Sequence, residues 1–241
     1  FKQFGFLINS RLSLKEKFNA QLTFSRSKSD GYRYNTDYSN DFFFFKSEIK
    51  TQKNPIIISS GFTEKKFGAN GFYASPTATD QYEETQASFL GISTLLGSEK
   101  FLIRPKLYWR RGQDEYIYIR NNPSVYRNLH KTNKIYLDFS FSKLFDSSRL
   151  NFGIDLSNSS ISSNNLGDHD RFTTSLYADY TFKTKDNKLS FSPGLSISNF
   201  SDMSTHFFPG IDVGYDFNEK INLYANYGKT YRIPTYTDLY Y

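Results

Sequence analysis

Apolar and polar residues alternate with a period of two along most of the chain, a pattern that a helix, whose face repeats every 3.6 residues, cannot use. From Phe4 to Leu14 the even positions read Phe4, Phe6, Ile8, Ser10, Leu12 and Leu14, set against Gly5, Leu7, Asn9, Arg11 and Ser13. Lys15-Glu16-Lys17 makes a short turn, and Phe18, Ala20, Leu22 and Phe24 then alternate with Asn19, Gln21, Thr23 and Ser25. Two strands of about ten residues joined by a tight charged turn read as a hairpin. About ten residues is also what a tilted strand needs to cross a bilayer.

The pattern recurs to the end of the chain. Phe43, Phe45 and Ile49 share one facing, Pro55 to Phe62 and Thr85 to Leu96 read as strands, and Phe101, Ile103, Pro105, Leu107 and Trp109 form the next outward face. Ile135 to Phe141, Leu150 to Leu156, Phe172 to Phe182, Leu189 to Ile197, Phe207 to Phe217 and Leu223 to Tyr227 follow. The tally is twelve candidate strands, with tight turns centred near 16, 52, 98, 147, 186 and 219. Between the hairpins the sequence predicts loops at Arg26–Tyr38, Thr63–Gln81, Gly112–Thr132 and Asn158–Asp170, and a shorter one at Ser201–Thr205. A β-propeller also repeats at roughly 40–45 residues, but with four short strands per repeat. Here each repeat holds two long ones. The expected fold is therefore all-β, a single antiparallel transmembrane β-barrel domain over residues 1–241, with periplasmic turns and extracellular loops.

Composition agrees. Aromatic residues make up 19% of a chain whose hydrophobic fraction is only 38% and whose mean hydropathy is −0.59. Many Phe and Tyr in a polar sequence suit a wall that is apolar on one side and wet on the other. There are no cysteines, which excludes a disulfide scaffold and any Cys-based metal site or nucleophile. The net charge of +6 is spread out; no Lys/Arg cluster marks a binding face and no RNA-binding or zinc-finger pattern occurs, so nucleic acid is not an expected partner. No apolar run approaches the ~18 residues of a transmembrane helix. The sequence begins at Phe1 without an initiator Met or signal peptide, as expected of a mature or cut exported chain.

Chemistry is sparse. His130, His169 and His206 are placed in loops or at strand ends, away from metal-ligand spacing and off the outward faces that a barrel-wall Ser–His enzyme would need. Glu83 and Glu84 are neighbours on a strand and face opposite sides, which argues against a two-carboxylate site. No enzyme activity and no cofactor are expected. Asp30, Asp37, Asp41, Asp168 and Asp170 offer loop oxygens for Ca²⁺, though without EF-hand spacing. The stronger candidates are the loop aromatics Tyr32, Tyr34, Phe72, Tyr73, Tyr116, Tyr118 and Tyr126, rigid amphipathic contacts suited to a large, partly apolar ligand, or else girdle residues at the lipid interface.

The last twenty residues, NLYANYGKTYRIPTYTDLYY (Asn222 to Tyr241), carry a resemblance. Tyr231, Arg232, Pro234 and Thr235, followed by Asp238, Leu239 and Tyr240, resemble the barrel signature of TonB-dependent outer-membrane receptors, in which "lYasYg" runs into "fRaPt…ELY". Asp238 stands where that family usually carries Glu, and Ile233 where it usually has a small residue. FGANGFY (Phe67 to Tyr73), DQYEET (Asp80 to Thr85) and NNPSVYRNLH (Asn121 to His130) are similar to the vitamin B12 (cobalamin) receptor branch. The resemblance implies a 22-stranded barrel in the outer membrane of a Gram-negative bacterium, enclosing a separate N-terminal plug. Such a receptor takes up a scarce large nutrient, cobalamin-like or a siderophore, with energy delivered by TonB to the plug. Its partners are then outer-membrane lipid, the nutrient and TonB. No plug or TonB box precedes Phe1 and the sequence stops six residues beyond Thr235, so a partial barrel is expected. A passive pore or a surface adhesin barrel is the alternative.

Overall fold

The computed structural model describes residues 2–15, 17–51, 54–186 and 188–241. The strands are β1 (Gln3–Leu14), β2 (Phe18–Ser29), β3 (Tyr38–Lys50), β4 (Pro55–Gly68), β5 (Tyr82–Thr94), β6 (Leu96–Ser98), β7 (Phe101–Ile117), β8 (Arg127–Leu144), β9 (Ser148–Ser163), β10 (Gly167–Lys183), β11 (Leu189–Phe200), β12 (Met203–Asn218) and β13 (Ile221–Gly228). A short helix α1 (Tyr236–Tyr240) follows. Twelve strands form one antiparallel meander in chain order, and β6 pairs β7 beside this path. Among the described residues β1 pairs only β2 and β13 only β12, so the sheet is open. Glu16, Gln52, Lys53 and Asn187, on which three of the expected turns partly fall, lie outside the described residues.

The register sorts the side chains into two unlike faces. Pro105, Phe139, Ile154, Leu176, Ile197 and Phe207 lie in one row across β7 to β12. The adjacent row on the other face reads Lys106, Asp138, Asp155, Ser175, Ser198 and His206. Leu176 and Phe207 are 52% and 53% exposed, whereas Asp138 and Ser198 are 5% and 8% exposed. A soluble protein has the reverse distribution. This is the wall of a transmembrane barrel, lipid-facing on one side and polar on the other. Phe43 and Phe45 stand on the apolar face with Phe24 and Leu22, as the sequence predicts.

On the polar face, Gly61 and Gly153 sit beneath rings. A Cβ on Gly61 would run into the Phe89 ring, and one on Gly153 into the Tyr177 ring and, at 2.8 Å, the Phe139 carbonyl oxygen.

The loops are shorter than the sequence predicts. Residues 30–37 and 69–81 remain of the first two, 118–126 of the third, 164–166 of the fourth, and Ser201-Asp202 of the fifth. The other expected loop residues are strand instead, at both ends of the first, third and fourth loops and at one end of the second and fifth. β8 has 18 residues, about 60 Å at ~3.3 Å per residue, roughly twice the hydrocarbon thickness. Beyond the lipid the outward face no longer needs to be apolar, so the alternation disappears while the ladder continues. Ion pairs take over there: Lys66 Nζ is 3.1 Å from Glu64 and 3.7 Å from Glu84, and Arg127 Nε is 2.6 Å from Glu115.

Adjacent residues on opposite faces supply a test. In the full-length protein folded in lipid bilayers, Leu195→Arg on the apolar face is expected to cost about 2–4 kcal/mol. Ser196→Arg, on the polar face, is expected to cost less than about 1 kcal/mol. Reversible denaturant unfolding in vesicles measures both, and equal costs would contradict this assignment of faces.

Candidate functional site

Three loops at one end of the sheet are fastened to each other. Residues 30–37 hold two left-handed positions, Gly31 at φ 78 and Asn35 at φ 52, the latter a conformation Asn adopts more readily than most residues. That turn presents the Asn35 amide, which donates to the Thr79 and Gln81 carbonyls at 2.9 and 2.6 Å. Asn35 Oδ1 accepts from Arg120 Nη1 at 3.0 Å. Arg120 also grips Asp37 in a two-pronged pair, Nη1–Oδ1 2.6 Å and Nη2–Oδ2 2.9 Å, and lies 4.6 Å from the centre of the Tyr82 ring. Tyr34 donates to Asp80 at 2.6 Å, which raises its phenol above the usual range. Arg120's hydrogen bonds hold the Asp37 carboxyl below its ordinary value, against the opposing effect of burial.

Behind this plate lies an open recess of about 730 Å³ on the polar face, lined by Tyr73, Ala74, Glu83, Asp114, Tyr116, Tyr118, Tyr126, Asn128, His130 and Tyr241. The ladder places Glu83 opposite Tyr116, Tyr116 opposite Asn128, and Asp114 opposite His130. Tyr73 meets Tyr116 edge to face at 5.5 Å and 82°, and Tyr116 meets Tyr126 at 6.3 Å and 69°. Gln81, fully buried, anchors the wall: its amide donates to Ala78 O at 2.8 Å and its oxygen accepts from the Tyr116 hydroxyl at 2.9 Å. Burial and a hydrogen bond to Glu83 push the Tyr73 phenol up.

His130 Nδ1 lies 2.8 Å from Ser163 Oγ. That hydroxyl already accepts from the Asn165 and Leu166 amides at 3.1 and 2.9 Å. With those two amides, the Ser163 hydroxyl closes the 164–166 turn in the manner of a local side-chain cap. Among the described residues no group of three His, Asp or Glu side chains forms a candidate metal site.

Residues 229–241 fold back over the same polar face. Thr235 caps α1 and accepts from the Asp238 amide at 3.1 Å, while the Asp238 carboxylate accepts from the Thr235 amide at 2.8 Å, a reciprocal capping box. These bonds to Thr235 hold Asp238 below the ordinary carboxylate range. Arg232 Nη2 adds bonds of 3.2 and 3.1 Å to the same carboxylate. Arg171 donates to the Pro234 carbonyl at 3.0 Å, Tyr236 donates to Ser159 O at 2.8 Å, and Tyr240 stacks on His169 at 3.6 Å and 3°. Tyr231 packs edge-on against His206 at 5.0 Å.

Of the seven aromatics singled out in the sequence, Tyr73, Tyr116, Tyr118 and Tyr126 line the recess, and Phe72 packs on Tyr73 at 4.7 Å. Tyr32 and Tyr34 stand in the neighbouring 30–37 loop, Tyr34 engaged with Asp80. All three histidines lie within four residues of a strand start. Asp37 and Asp41 are paired with Arg120 and Arg26. Sequence reasoning missed Asn35, Asp80, Gln81, Asp114 and Arg120. For Arg120 and Asn35 no local pattern signals the contact, since they lie 85 residues apart.

The family model described as "TonB dependent receptor-like, beta-barrel" matches residues 3–241. No curated protein matches the chain. Solved structures with the same fold include the siderophore receptor PirA from Pseudomonas aeruginosa, with a TM-score of 0.77 and 11% identity over 97% of this chain and 40% of that one. A mutant of the ferric enterobactin receptor PfeA from Pseudomonas aeruginosa gives 0.78 and 10%, over 96% of this chain and 41% of that one. The FrpB iron transporter from Neisseria meningitidis gives 0.75 and 11%, over 99% and 45%. The chain thus spans 40–45% of the length of these structures.

The Arg120 tie is testable. Arg120→Ala is expected to free the 30–37 loop by about 1 kcal/mol, the discounted value for a partly exposed pair. That corresponds to roughly fivefold faster amide hydrogen exchange there. Because Asp37 is depressed, its contribution is complete above the unfolded value of 3.8 and is lost as pH falls through the lower folded value. Protection of this loop should therefore hold from neutral pH to about pH 4 and fail only in stronger acid; loss near pH 6 would exclude the pair as its cause.

Proposed function

The chain belongs to the TonB-dependent receptor β-barrel family, matching it over residues 3–241, and on that premise we propose that the whole protein is an outer-membrane receptor for active uptake of a scarce, large nutrient. The family is one of transport receptors rather than enzymes. In this reading the sheet forms part of a 22-stranded barrel around a plug supplied by the rest of the protein, and TonB acts on that plug. The family match over nearly the whole chain carries the proposal.

The fastened loops suit such a role, because a binding surface held in place before the ligand arrives loses less entropy on binding. The ligand contacts we assign are Tyr73, Tyr116, Tyr118 and Tyr126 in the recess, with Phe72, Tyr32 and Tyr34 on the adjoining loops. Two cargoes fit the class. The similar structures from Pseudomonas aeruginosa are described as siderophore and ferric enterobactin receptors, which supports a metal chelate. The phrases at 67–73, 80–85 and 121–130 support a cobalamin-like ligand.

The full-length gene, expressed in a strain lacking its own cobalamin and siderophore receptors, is expected to restore uptake of labelled cobalamin or of a ferric siderophore only when TonB is present. Tyr126→Ala is expected to raise the half-saturating concentration about tenfold, equivalent to ~1.4 kcal/mol, without lowering the maximal rate. Uptake that persists without TonB would replace active transport by a passive pore. Failure with both cargo types would end the cargo assignment.

A further inference from the structure

The recess has a charge of its own. Glu83 and Asp114 line it, and no lysine or arginine does, in a chain whose net charge is +6. Arg120 on the adjoining loop is paired with Asp37, and Arg127 at the start of β8 with Glu115 on the opposite face. Glu83 accepts from the neutral Tyr73 hydroxyl and shares the recess with Asp114, which faces His130 across the ladder.

The aromatic walls point the same way. Tyr73, Tyr116 and Tyr126 meet at 82° and 69°, so they form corners rather than a stack. Edge-to-face contacts hold these tyrosines in fixed orientations along the recess, and the face of an aromatic ring carries the negative end of its quadrupole. Several tyrosines and two carboxylates lining one recess favour a cation over an anion there. Its volume of about 730 Å³ is that of a whole small-molecule site.

Building on the receptor reading above, we propose that this recess selects a cationic ligand group, a primary or quaternary ammonium carried on an apolar or planar body, and disfavours anionic chelates. Glu83 and Asp114 supply the countercharge, and Tyr73, Tyr116, Tyr118 and Tyr126 enclose the group.

The test uses two probes of like size and opposite charge, benzyltrimethylammonium and benzenesulfonate, with the full-length receptor in detergent micelles. Ligand-observed NMR titration is expected to show the ammonium binding at least tenfold more tightly than the sulfonate. Glu83→Gln combined with Asp114→Asn should lower ammonium affinity at least tenfold, while Glu84→Gln on the opposite face leaves it unchanged. Equal binding of the two probes, tighter sulfonate binding, absence of binding by both, or ammonium affinity indifferent to the double substitution would each overturn the proposal. The wild-type probe comparison stands even if the double variant does not fold. TonB-dependent uptake that survives while the ammonium preference fails would remove only the charge class. Ammonium preference without TonB-dependent uptake would remove the receptor reading instead.

Discussion

The antiparallel backbone ladder is the constraint on which everything else rests. In a nonpolar surrounding an unpaired amide or carbonyl costs several kcal/mol, so strands survive there only when each finds a partner. Pairing fixes register, and register fixes facing: a slip of one residue would turn Leu176 inward and Tyr177 outward. The apolar row through Phe139 and Leu176 and the polar row through Asp138 and Ser175 are thus one fact seen from two sides. Small residues permit the second consequence. Gly61 and Gly153 leave room for the rings of Phe89 and Tyr177 to lie flat on the polar wall, and Tyr177 then reaches Asp138 at 3.2 Å.

How much of this the sequence revealed follows from what lipid demands. Within the bilayer the outward face must be apolar, so strands such as β10 are written plainly in Phe172, Leu176, Tyr180 and Phe182. Above the lipid that demand ends, and both faces are polar. The segments around Glu64-Lys65-Lys66 and Asn158 to Ser163 then read as loop, though they are ladder. What shows them to be strand is cross-strand pairing, such as Lys66 opposite Glu84, and pairing joins residues distant in the sequence. The aromatic recess is half legible for the same reason. Aromatic side chains in polar segments mark the tyrosines, whereas Asp114 carries no signal, and Glu83 stands out only beside Glu84, until the register places both on the face of Tyr116 and His130.

The loops owe their order to polar contacts rather than to a core. Few apolar side chains are buried at that end, with Ala69, Ala78 and Ile117 among them. In their place, Asn35 and Gln81 add side-chain bonds to the Thr79, Gln81 and Ala78 carbonyls, and Arg120 joins three segments through one planar group. Lysine offers no equivalent, since it lacks the fork that meets Asp37 with two parallel bonds while its face covers Tyr82. Such an arrangement is rigid yet wet, which lets a surface be both ordered and open to a ligand.

The signature near the end of the chain has a physical reading in the same terms. Thr235 and Asp238 stand at the spacing of a capping box, and the usual Glu of the family would make the same pair of bonds with one more methylene. Arg232 is held by that carboxylate, and Pro234, just before the cap, offers its carbonyl to Arg171. A helix of five residues has little stability of its own, so its position depends on these ties and on the stack of Tyr240 against His169. The next residue, Tyr241, lines the recess. The residues that identify the family and those that line the aromatic recess are therefore joined through one short segment on the polar wall.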